Sequence, residues 1–148
     1  MKEDTSHSKP KKEVQLYERR GETSRYIDAE ITEDGDLVIF GQDVGKAPRE
    51  FWGDADYEFW VHVPAKYKDD VLLALLEKLY AGNRSAVDEL RDFMRSRGIP
   101  VEHVPARHKD DVLLALLEKL YAGNASAVSE FLDFMRSRGI PVELDTWV

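Results

Sequence analysis

The sequence predicts an α+β fold: an antiparallel meander of three or four strands, then two tandem, nearly identical helical hairpins and a short C-terminal strand. Three observations carry that expectation. Runs between residues 25 and 63 alternate apolar and polar side chains, the period of a half-buried strand. Residues 62–102 recur without a gap as residues 103–143, with 35 of 41 positions identical. Within each copy the leucines follow a helical period, and glycines stand where the helices should stop.

In chain order, residues 1–12 are polar, hold four lysines and read as a disordered tail. A first strand is expected at 14–19. The second, at 25–32, sets Ile27, Ala29 and Ile31 against Tyr26, Asp28 and Glu30. Asp34-Gly35 predicts a type I′ hairpin turn into a third strand at 36–40. A long connection over 41–56 carries Phe51 and Trp52. A fourth strand at 57–63 sets Tyr57, Phe59, Val61 and Val63 against Glu58, Trp60 and His62. In the first copy, Leu72, Leu75, Leu76 and Leu79 form the apolar stripe of a helix over 68–81, with Asp69 and Asp70 at its positive end. Ser85 and Asp88 predict a capped second helix that buries Val87, Leu90, Phe93 and Met94. Gly98-Ile99-Pro100 ends it. The second copy repeats these features at 109–122 and 126–138. One domain over 13–148 is expected, with its sheet half at 13–61.

Both copies must be covered. Each offers about eight large apolar groups worth roughly 1.5–3 kcal/mol apiece on burial, more than a domain's net stability. Three arrangements do this: a helical layer on one sheet face, one hairpin on each face, or a hairpin packed on another chain as a dimer or swap. The copies differ at Lys66/Arg107, Tyr67/His108, Arg84/Ala125, Asp88/Ser129, Leu90/Phe131 and Arg91/Leu132. Arg84/Ala125, Leu90/Phe131 and Arg91/Leu132 all make the second copy more apolar. Phe131 and Leu132 are therefore expected under extra cover or at an oligomer contact. A chain lacking residues 103–143 is expected to fold as a monomer.

Composition narrows the function classes. No apolar run is long enough to span a membrane, and with no cysteine there is no thiolate metal site or disulfide. A cytoplasmic location is expected. The net charge of −8 is concentrated in residues 26–61, where ten acids face only Lys46 and Arg49. Such a field repels nucleic acid and anionic membranes and attracts basic partners.

Chemical motifs are weak. Gly41 to Lys46 falls one residue short of a phosphate-binding loop and lacks its Ser or Thr. Asp34-Gly35-Asp36 lacks the ligand ladder of a calcium loop. His62 and His103 are equivalent repeat positions, read as strand-end structure rather than metal ligands. No cofactor is expected. The informative constellation is acidic and aromatic: Trp52, Asp54, Asp56, Glu58, Trp60 and His62, joined across the sheet by Asp28 and Glu30, with Tyr17, Val38 and Phe40 beside them. An acidic aromatic face suits a cationic protein surface. The leading expectation is a non-enzymatic interaction module with a basic protein partner, an inhibitor or immunity-type role being one form of it. The alternative is a small enzyme or ligand-binding domain with Asp54, Asp56, Glu58 and His62 as acid–base groups beside the 41–56 loop.

Overall fold

Alternation of side chains over four consecutive segments produces one antiparallel sheet, and the C-terminal segment adds a fifth strand to it. The computed structural model describes residues 12–45, 56–100 and 106–147. The strands are β1 (Lys12–Arg19), β2 (Thr23–Ile31), β3 (Leu37–Gly45), β4 (Asp56–Val63) and β5 (Glu143–Trp147), in that spatial order. The expected meander and the expected short C-terminal strand thus join in one five-stranded sheet.

Three details correct the sequence reading. The β2–β3 turn is not type I′. Gly35 N–H donates to the Thr32 carbonyl and Thr32 N–H to the Asp36 carbonyl, both at 2.9 Å, and Gly35 is at φ +89°. This is a three-residue loop closed by a left-handed glycine. β3 runs on to Gly45, so the long connection begins later than residue 41. Gly41 leaves room for the Phe59 ring, and Gly45 (φ +125°) lies against the Glu22 carbonyl, where a Cβ would sit 2.1 Å from the oxygen. Close packing accounts for both glycines without a phosphate. Finally, β1 carries a bulge. Gln15 pairs with Asp28 and Tyr17 with Ile27, leaving Leu16 as the extra residue. The bulge moves Tyr17 onto the opposite face from the acids.

The helices are α1 (Lys68–Tyr80) and α2 (Ala86–Ser96) in the first copy, and α3 (Lys109–Tyr121) and α4 (Ala127–Ser137) in the second. Their stops follow the glycines. Ile99 N–H reaches the Met94 carbonyl and Gly98 N–H that of Arg95, and Ile140 and Gly139 repeat the pattern. Ser85 and Ser126 stand at the N-cap positions of α2 and α4, as expected. Neither Ser85 nor Ser126 caps through its side chain. Asn83 instead accepts from Ser85 N–H (2.7 Å) and donates to Glu89 (3.0 Å); Asn124 does the same with Ser126 and Glu130.

All four helices lie on one face of the sheet, the first of the three arrangements. The core joins Ile27, Ala29, Ile31, Leu37, Ile39, Val61 and Val63 to residues of every helix. α3 crosses β1 and β2, α4 reaches β3, and α1 packs beside α3. The closest helix backbones are therefore the first helices of the two copies, not the two helices within a copy, where bulky pairs such as Tyr121 and Phe131 (6.1 Å between rings) intervene. The second copy's turn is pinned to the sheet: Gly123 N–H donates to the bulge carbonyl of Leu16 (2.7 Å), and Arg25 donates to the Ala125 carbonyl (2.9 Å).

The copies are used differently. Phe131 (1% exposed) and Leu132 (7%) are buried within the chain, the first of the two situations expected of them. Val87 is 73% exposed where its twin Val128 is 6%, and Leu73 is 63% exposed where Leu114 is 4%. The expected burial of Val87 fails because the sheet is already taken by the second copy.

Candidate functional site

Period-two alternation puts every second strand residue on the face away from the helices. Glu13, Gln15 and Glu18 lie there on β1, Tyr26, Asp28 and Glu30 on β2, and Val38, Phe40 and Gln42 on β3. Glu58, Trp60 and His62 follow on β4, with Glu143 and Asp145 on β5. No described helix covers this face, and no lysine or arginine of a described strand points to it. Five of the residues gathered from sequence thus meet on one surface: the acids Asp28, Glu30 and Glu58, with Trp60 and His62. Asp56 starts β4. Trp52, Asp54 and His103 lie outside the described residues.

At the centre, Phe40 and Trp60 sit on paired strands with ring centroids 5.6 Å apart, tilted by 43°. Both rings are half-buried, so they belong to the surface rather than to the helix-covered core. Val38 beside them is buried yet stands apart from that core. Sequence reasoning missed Glu13, one residue outside the strand expected at 14–19, Glu18, whose face the bulge sets, and Glu143 and Asp145, which join the face only because β5 pairs with β4.

Toward β1 the carboxylates crowd. Burial, then the charges of Glu13 and Glu18, pushes the Asp28 carboxyl above its ordinary range; burial, then Glu13 and Asp28, does the same to Glu30. Groups raised in the folded state favour folding while protonated and lose that contribution as pH rises through their folded values. Both carboxylates therefore oppose folding at neutral pH. The Asp28→Asn, Glu30→Gln double variant is expected to raise the melting temperature at pH 7 by about 1–3 °C. The gain should vanish near about pH 3, where the native carboxyls are protonated. Thermal melts at both pH values check this, and an equal gain at both would refute crowding as the cause.

His62 occupies the other end of the face. Its Nε2 lies 3.0 Å from Asp36 Oδ2, while Asp36 Oδ1 accepts the Ala65 N–H at 2.7 Å. Asp36 thus ties the end of β4 to the residues that enter α1, the strand-end role expected from the repeat. Glu143 stands 3.6 Å from the other ring nitrogen.

On the helix side a cavity of about 280 Å³ opens between Arg25, Tyr57, Phe59, Val128, Leu132 and Leu144. Its cation is committed: Arg25 holds Asp43 through two bonds of 2.6 and 2.7 Å. Among the described residues no three metal-ligating side chains cluster, and no helix is long and apolar enough to cross a membrane.

The fold and this surface define a class: a two-layer α+β chain whose sheet is helix-covered on one side and acidic and aromatic on the other. No family model, curated protein or solved structure matches the chain.

Proposed function

We propose that the open sheet face docks a basic protein segment and that the chain is a non-enzymatic interaction module, of which an inhibitor or immunity-type role is the specific form. One observation carries the reading: the Phe40–Trp60 pair stands among carboxylates on a face with no lysine or arginine from any described strand. A tryptophan at the centre of such a face supplies anchor area and attraction for a guanidinium, and surrounding acids accelerate encounter. Crowded Asp28 and Glu30 add to this, since an incoming cation relieves their mutual repulsion. A stability cost at the same residues that attract the partner is the usual trade at a binding surface.

The test is calorimetric titration of the full chain with an arginine-rich probe peptide at low and high salt. Trp60→Ala should weaken binding at least about tenfold with little salt dependence of the loss. Asp28→Asn with Glu30→Gln should flatten the salt dependence itself. Binding that survives Trp60→Ala unchanged would sink the reading.

A further inference from the structure

The two copies pack with reciprocal contacts. Lys68 pairs with Asp110 (2.7 Å) and Lys109 with Asp69 (3.0 Å). Arg97 pairs with Glu118 and Arg138 with Glu77. Lys78 lies over Phe134 and Lys119 over Phe93, each at 4.8 Å. In every case, residue i of one copy meets j of the other, and j meets i, which is the signature of a two-fold axis. Any surface of one copy near that axis therefore has an equivalent surface on the other.

One such place is occupied in one copy and open in the other. Where α3 meets the end of α2, β1 lies against His108, Asp111, Leu114 and Ile99, leaving a cleft of about 340 Å³. Lys12 of that strand pairs with Asp111 at 2.9 Å, and Val14, two residues on, packs on the core. Burial works against the Asp111 charge, but Lys12 and then His108 hold its carboxyl below the usual range. The two-fold counterpart, where α1 meets the end of α4, is a groove of about 460 Å³ lined by Tyr67, Asp70, Leu73, Ala74, Arg138 and Ile140. No strand of the described residues lies in it. Leu73 is exposed there, and Asp70 has no hydrogen-bond or ion-pair partner among the described residues.

We propose that this groove binds an extended segment of a partner protein that presents a lysine to Asp70 and, two residues further on, an aliphatic side chain to Leu73. The chemistry is that of Lys12 and Val14 in the twin groove. Alternate side chains of an extended segment point the same way, so one residue pairs with the acid and the next but one fills the apolar floor. The site is separate from the acidic sheet face and does not depend on it.

The experiment titrates the intact chain into a fluorescein-labelled peptide, Lys-Lys-Glu-Val-Gln-Leu, the sequence of residues 11–16, and follows anisotropy. Asp70→Lys and Leu73→Glu, both at exposed positions that the fold tolerates, should each weaken binding at least tenfold. A peptide with its second lysine changed to Glu should weaken it similarly, and Glu58→Gln on the sheet face should leave it unchanged. Absence of binding at millimolar peptide overturns the proposal. So does a loss on Glu58→Gln without one on Asp70→Lys, which assigns the peptide to the sheet face. Sensitivity to Asp111→Lys alone overturns it as well, because the peptide is then replacing β1. A chain that is dimeric by itself and monomeric as Asp70→Lys would assign the groove to a second copy instead of a partner.

Discussion

A chain lacking residues 62–102 is expected to fold and to run as a dimer. The deletion joins Val61 to His103, which is the repeat equivalent of His62, so the local sequence across the junction is preserved. It keeps Phe131 and Leu132, which cover the sheet, and the contacts of Gly123 and Ala125 to Leu16 and Arg25. The starts of α1 and α3 lie side by side, as the crossed Lys68–Asp110 and Lys109–Asp69 pairs show, so the shortened connection reaches α3 without rebuilding the sheet. What the deletion exposes is the face of α3 and α4 that met the first copy. That face is nearly self-complementary: Lys109 can meet Asp110, Glu118 can meet Arg138, and Lys119 can meet Phe134 of a second molecule, as their equivalents do within the chain. Light scattering should give twice the monomer mass, and Lys109→Glu with Arg138→Glu in the shortened chain should lower it. A well-folded monomer with α3 exposed would refute the two-fold arrangement.

Leu114→Ala should cost about 2–5 kcal/mol, and Leu73→Ala no more than about 0.5 kcal/mol. On a net stability of about 5–15 kcal/mol the first is severe and the second barely measurable. Both leucines sit in the identical stretch Lys-Asp-Asp-Val-Leu-Leu-Ala-Leu-Leu-Glu-Lys-Leu-Tyr, at the same place in a helix of the same length. Helix propensity and unfolded-state effects therefore cancel in the comparison. Only cover differs: β1 lies over Leu114, and nothing described lies over Leu73. Denaturant midpoints with unchanged slopes would measure the difference. Equal losses would mean that the two copies are equally covered.

Local chemistry alone determined much of this protein. Alternation placed β2, β3 and β4 and chose their faces. It therefore brought Asp28, Glu30, Glu58, Trp60 and His62 to one surface before any coordinates. Glycine stops at Gly98 and Gly139 were legible because only a left-handed residue lets the last carbonyls be satisfied. Other features were not legible, because they rest on partners distant in sequence. The Leu16 bulge, which turns Tyr17 away from the acids, is held by the N–H of Gly123. The acidic face is completed at one end by β5, a strand that pairs across eighty residues. The fate of the repeat is the clearest case. Two stretches with the same letters have the same helices, because helix starts, stops and stripes are written within a dozen residues. Which one lies under the sheet, and which leaves an open groove at Asp70 and Leu73, depends on there being one sheet for two copies. The second copy holds Phe131 and Leu132 where the first has Leu90 and Arg91, and its larger apolar face takes the cover.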